Sequence, residues 1–165
     1  MVRRLVFIKA PLPRPQSHGP GPRARPRPTH RSAVMDLCDL NTIKALLGRH
    51  GFHFSKSMGQ NFLIQDWVPR GLVEGAGVGA ENGVLEIGPG IGPLTAQLAA
   101  AARKVVAVEL DRSLLPVLSE TLGDHSNVEI LPADILKLDI PALVDERFPG
   151  LTPMACANLP YNITT

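Results

Sequence analysis

The chain has 165 residues, 44% of them hydrophobic, and a formal net charge of +2. That length bounds one domain or part of one, the apolar content suffices for a buried core, and no stretch approaches the length of a membrane span. Cys38 and Cys156 show neither CxxC spacing nor a disulfide framework, which points to a reducing, cytoplasmic setting, and the histidines do not cluster with acids or cysteines, so no metal is expected.

The net charge hides an asymmetry. Residues 1–34 hold eight Lys/Arg, seven prolines and no acid, whereas residues 35–165 hold nine basic and fifteen acidic side chains, giving +8 against −6. Proline at that density forbids helix and the segment has little to bury, so 1–34 is expected to be a disordered basic Pro/Arg-rich extension. A basic arm on RNA phosphates, an organelle transit peptide and an untranslated stretch before a natural start at Met35 all compete for it. The last is the reading adopted here.

From Met35 the pattern is that of a folded protein. Asn41 is positioned to cap a helix through Ile43, Leu46 and Leu47 to about Arg49. Residues 54–63, Phe54-Ser55-Lys56-Ser57-Met58-Gly59-Gln60-Asn61-Phe62-Leu63, have neither strand alternation nor a helical face and read as a surface loop. A helix from about Asp66 to Ala76 follows. Gly83 to Ile87 is a short buried strand that breaks into Gly88, Gly90 and Gly92, and Leu94 to Ala102 favours helix.

Strand, glycine turn, helix is how a doubly wound α/β domain opens a nucleotide pocket, although a tight turn in any α/β protein can look the same. The dinucleotide fingerprint is G-x-G-x-x-G. Here the spacing is G-x-G-x-G, preceded by Glu86 inside the strand, which disfavours a nicotinamide cofactor. It resembles the first motif of S-adenosylmethionine-dependent methyltransferases.

Val105 to Glu109 is a second buried strand ending in an acid, seventeen residues after Gly92. A carboxylate at that tip is where such folds hold ribose hydroxyls; a solvated strand-end acid is the alternative. Asp111-Arg112 opens a helix to about Leu122, with Pro116 early enough to be tolerated. Val128 to Leu131 is the third strand. Asp134 beyond it is suited either to accept from an adenine amine or to cap a helix. Leu143 to Phe148 is a short helix, and Met154 to Ala157 the fourth strand, ending in Asn158-Leu159-Pro160-Tyr161. An amide, a rigid turn and an aromatic ring there suit a planar group bearing an N–H₂, unless they merely end the strand. Four strands alternating with helices argue for an α/β fold built on a parallel sheet, in the order 3-2-1-4.

Lys56 to Leu63, Glu86 to Gly92, Glu109 to Arg112, Ala133 to Leu136 and Asn158 to Thr164 together resemble the ribosomal RNA adenine dimethyltransferases. The likeness is greatest to those that dimethylate two adjacent adenines near the 3′ end of small-subunit rRNA. It runs from about Phe54 to Thr165. It implies a Rossmann-like methyltransferase fold with helices on both faces of the sheet, S-adenosyl-L-methionine as cofactor, small-subunit rRNA or a pre-assembled small subunit as partner, and a monomer. By the same resemblance Asn61 and Leu63 lie against the donor, Gly88 near its methionine part, Glu109 on its ribose and Asp134 on its adenine, with Gly90 also among the cofactor-binding residues. Asn158 lies between donor and target base, followed by Leu159, Pro160 and the stacking ring of Tyr161. Such enzymes are similar to one another in having seven strands and a helical RNA-binding domain, so 35–165 is expected to be the N-terminal portion of a domain truncated after its fourth strand and inactive alone. Large-subunit rRNA adenine dimethyltransferases, which confer macrolide resistance, share Gln60 to Leu63 and the Asn158 motif, whereas Gly59 and Leu159 look more like the small-subunit enzymes. A non-catalytic RNA- or DNA-binding relative is the remaining alternative.

Overall fold

The structure, a computed structural model, describes residues 35–52 and 67–157. The expectations for residues 1–34, for Asn61 and Leu63, and for Asn158, Leu159, Pro160 and Tyr161 lie outside them. The described elements are α1 (Leu40–Arg49), α2 (Trp67–Ala76), β1 (Asn82–Ile87), α3 (Pro93–Ala101), β2 (Lys104–Glu109), α4 (Leu115–Leu122), β3 (Val128–Pro132), α5 (Ile140–Arg147) and β4 (Thr152–Ala157). Two single turns of 3₁₀ helix, Arg112–Leu114 and Ile135–Lys137, follow β2 and β3.

The sheet is parallel throughout, in the order β3-β2-β1-β4. This is the expected order. It follows from the sequence because near-continuous apolar strands such as Val105-Val106-Ala107-Val108 require cover on both faces. One face carries Val84, Val105, Met154 and Cys156 against Leu72 and Val73 of α2 and Leu94 and Leu98 of α3. The other carries Leu85, Val106 and Val108 against Leu143 and Val144 of α5 and Phe148.

A third cluster lies off the sheet. Ile43, Leu46 and Leu47 of α1 meet Val117 of α4 and Ile91 of the glycine turn. Outside it, Arg49 and His50 both hydrogen-bond to the Glu120 carboxylate, the His50 contact at 2.6 Å. The Arg49 guanidinium, with His50 beside it, holds that carboxyl below its ordinary value.

Three helix starts differ from expectation. The cap of α1 is Asp39, whose carboxylate accepts from Thr42 N–H at 2.8 Å, rather than Asn41. Both residue types suit the role, and the turn at residues 36–39 selects the earlier one. The stretch after Asp111 first makes a 3₁₀ turn, capped by Asp111 on Ser113 N–H at 2.9 Å. α4 then begins so that Pro116, which lacks an N–H, falls in its first turn. α5 begins at Ile140 because Asp139 caps Ala142 N–H at 3.1 Å and Pro141 again occupies the first turn.

Candidate functional site

Parallel register brings the chemistry to one edge of the sheet. Ile87 lies beside Val108 of β2 and Ala157 of β4, and Glu109 lies beside Pro132 of β3. The carboxyl ends of all four strands, at Ile87, Glu109, Pro132 and Ala157, therefore lie at the same edge. In open α/β sheets that edge is where ligands bind.

The glycine turn is built for close approach. Gly88, Gly90 and Gly92 have φ of +70°, +61° and +96°, a region that side chains with a Cβ avoid. Gly88 N–H is tied to Val108 C=O at 3.0 Å, and a Cβ at Gly88 would meet nothing within 4 Å, so this side of the turn is open. Gly92 is the residue before α3 and offers no side-chain cap to its first turn. An open glycine backbone leading into an uncapped helix start suits an anionic or polar ligand group.

Glu109 is not a solvated strand-end acid. It is 6% exposed, and one carboxylate oxygen accepts from Asp111 N–H at 2.8 Å, which fixes the side chain at the tip of β2. Asp134 takes the capping role: one oxygen accepts from Leu136 N–H at 3.0 Å and the other lies 3.7 Å from Lys137 Nζ.

Glu86 is a site residue that sequence reasoning placed in the motif without giving it a task. It is 1% exposed, and its Oε2 has no hydrogen-bond partner among the described residues. Burial, together with the charge of Glu109 and against the pull of the Thr95 hydroxyl, raises its carboxyl from 4.5 to about 7. The signal was there: an acid at the inward position of an otherwise apolar strand.

These features fit a nucleoside carrying a cationic group. A buried carboxylate at the tip of β2 suits vicinal hydroxyls, the open face of Gly88 leaves room for a ligand, and the orphaned Glu86 oxygen lacks a counter-charge. No group of three or more His, Cys, Asp or Glu among the described residues is arranged to hold a metal. A cavity of about 590 Å³ opens elsewhere, at the opposite edge of the sheet beside Arg103, Lys104 and Arg147. Glu129 already pairs with Lys104 at 3.3 Å and Arg147 at 2.9 Å there. The glycine turn, not that cavity, gathers the ligand-facing groups.

The fold is that of an α/β domain of the Rossmann-like methyltransferase type. The sequence model of the ribosomal RNA adenine dimethylase family matches residues 51–165, and the chain belongs to that family. Ribosomal RNA small subunit methyltransferase A of Bacillus mycoides strain KBAB4 is 50% identical over 133 residues, covering 80% of this chain and 46% of its own length. The protein of that name from Geobacillus thermodenitrificans strain NG80-2 is 48% identical over 131 residues, covering 79% and 45%. The chain thus spans about half the length of the curated relatives it matches. A solved dimethyladenosine transferase from Plasmodium falciparum is 25% identical, with a TM-score of 0.48 over 61% of this chain and 34% of that one.

Proposed function

We propose that the protein transfers methyl groups from S-adenosylmethionine to the exocyclic amines of two adjacent adenines near the 3′ end of small-subunit rRNA, giving dimethyladenosine. The observation that carries this reading is the buried Glu109 carboxylate, fixed beside an open G-x-G-x-G turn at the carboxyl edge of a parallel sheet. The names of the relatives support the substrate and favour the small-subunit over the large-subunit enzyme. On this reading rRNA within the assembling small subunit is the partner, and the cytoplasm is the place of action. Among the described residues no helix is long and apolar enough to cross a membrane.

A bound sulfonium donor supplies an electrophilic methyl group that an amine can attack directly. The protein's task is then position and electrostatics. Glu109 holds the ribose hydroxyls and orients the donor, with Gly88 and Gly90 along its methionine part and Asn61 and Leu63 against it. Asp134 accepts from the adenine amine with whatever capacity its cap of Leu136 leaves. Asn158 accepts from the target amine and directs its lone pair. Leu159 and Pro160 stiffen the turn, and Tyr161 stacks on the base once it leaves its helix or loop. Asn158 is neutral and serves as no general base.

Asn158 and Tyr161 have separable tasks, so their variants fail differently in single-turnover methylation of partly assembled small-subunit RNA. Asn158→Ala is expected to lose on the order of 10²–10³ in rate with donor affinity little changed, by analogy with loss of a preorganised active-site contact. Tyr161→Ala loses a stacking face worth about 1–3 kcal/mol, while Tyr161→Phe keeps most activity. A Tyr161→Phe variant as inactive as Tyr161→Ala refutes the stacking role.

A further inference from the structure

The edge of the sheet opposite the glycine turn holds none of the groups that suit a nucleoside, yet it concentrates positive charge. Arg103 precedes β2, Lys104 opens it, Ser126 and Asn127 lead into β3, and Arg147 ends α5. With Glu129 of β3 they line the cavity of about 590 Å³. Three of the eight Lys and Arg side chains among the described residues are gathered here, against one of the fourteen acids, so the cavity runs counter to the acidic balance around it.

Its wall is held in place by backbone and amide hydrogen bonds. Asn127 donates to the ends of α3 at Ala99 and Ala102, and its own carbonyl accepts from Val105 N–H at 2.9 Å. Arg103 N–H donates to Asn82 C=O at 3.0 Å, so the backbone bearing Arg103 and Lys104 is tied to both β1 and the entry to β3.

The charges are not neutralised from within. Glu129 lies 3.3 Å from Lys104 Nζ and 2.9 Å from an Arg147 guanidinium nitrogen, one carboxylate between two cations. Glu146 reaches Arg147 only at 3.6 Å and is largely exposed, where an ion pair contributes little. Among the described residues Arg147 Nε is buried with no hydrogen-bond partner, and the exposed Arg103 makes no ion pair. What the cluster lacks is acceptors, and a phosphate brings several on one anion in the geometry a guanidinium fork prefers. No aromatic side chain lines the cavity, so a base finds nothing there to stack on.

We propose that this cavity is a second RNA contact, in which Arg103, Lys104 and Arg147 hold a backbone phosphate without reading sequence. The proposal rests on the rRNA reading above and extends it. The six residues of β2 set the cavity about 17 Å from the Glu109 end of the strand, at a rise of about 3.3 Å per residue. The phosphate therefore belongs to a different segment of the RNA from the one that carries the target adenines, and the contact orients the substrate on the enzyme.

The test measures binding of the full-length protein to protein-free small-subunit RNA over a range of salt concentrations, with donor affinity followed by calorimetry. Arg103→Gln, at an exposed and unpaired side chain, is expected to weaken RNA binding about three- to tenfold and to lower the slope of log affinity against log salt by about one. Glu129→Gln removes the competing carboxylate and is expected to tighten RNA binding, an opposite sign that a purely structural cluster would not give. Donor affinity is expected to stay unchanged in both. Inorganic phosphate and adenosine monophosphate at millimolar concentration separate the sources: tight binding of either that Arg103→Gln abolishes, with RNA binding unaffected, overturns the proposal in favour of a free-anion site. An Arg103→Gln defect seen only on protein-containing particles and not on protein-free RNA overturns it in favour of a protein partner. Unchanged RNA affinity and salt slope in Arg103→Gln, in a protein whose wild type methylates the RNA, overturns this contact alone. Failure of the wild type to bind or methylate small-subunit RNA overturns the rRNA reading and this inference with it.

Discussion

Glu86→Gln tests the energetics of the free fold. The Glu86 carboxyl stands at about 7 in the folded chain against an ordinary value of 4.5, chiefly because it is buried. Below the ordinary value both folded and unfolded chains hold the proton. Between the two values the folded chain keeps a proton that the unfolded chain has lost, so stability falls as pH rises through this window. The full loss is about 3 kcal/mol, reached above pH 7. Glutamine removes the charge but buries an amide with N–H groups to satisfy, which takes back about 1 kcal/mol. Glu86→Gln is therefore expected to be about 2 kcal/mol more stable than wild type near pH 8 and equal or slightly less stable near pH 5. Urea denaturation at each pH, with the slope held common, gives the difference directly. A variant less stable than wild type near pH 8, or a difference that does not change between the two conditions, refutes the reasoning.

A Cβ at Gly83 would lie 2.5 Å from the Phe148 ring carbon Cγ, and Phe148 is only 3% exposed, so Gly83→Ala is expected to cost about 1–3 kcal/mol in denaturant titrations. Gly75, within α2 and with nothing within 4 Å of its added Cβ, behaves oppositely: Gly75→Ala is expected to raise stability by about 0.5–1 kcal/mol in the same assay. Asn127 donates to the carbonyls of Ala99 at 2.9 Å and Ala102 at 3.1 Å, capping the end of α3 from the entry to β3. Asn127→Ala is expected to destabilise by about 1–2 kcal/mol, read from thermal melts. Glu109→Gln keeps an acceptor for Asp111 N–H, yet is expected to weaken S-adenosylmethionine binding by about 1.5–3 kcal/mol by calorimetry, and unchanged affinity would remove Glu109 from the site.

Strand order was legible because its signals are local. Apolar runs, alternate glycines and an acid at the end of Val105-Val106-Ala107-Val108 need no knowledge of partners. Helix starts were less legible, since Asp39 and Asn41 are equally good caps in isolation and only the preceding turn distinguishes them. The state of Glu86 was not legible. Its protonation depends on burial first, and then on Thr95 and Glu109, which come from two other elements. Asp134 carried two readings from sequence, and its bond to Leu136 shows that the local one is made.

Ile91 has a consequence for how the glycine turn is kept in shape. Three glycines in sequence make a segment that loses much conformational freedom when it is held in a single form. Ile91, flanked by Gly90 and Gly92, is fully buried among Ile43, Leu46 and Leu47 of α1 and Val117 of α4. The docking of α1 thereby restrains the turn, although α1 lies outside the sheet and far from it in sequence. Detachment of α1 uncovers Ile91 and frees the turn, so the two share one local opening event. By reciprocity, anything that holds the turn in a single form also holds α1 in place.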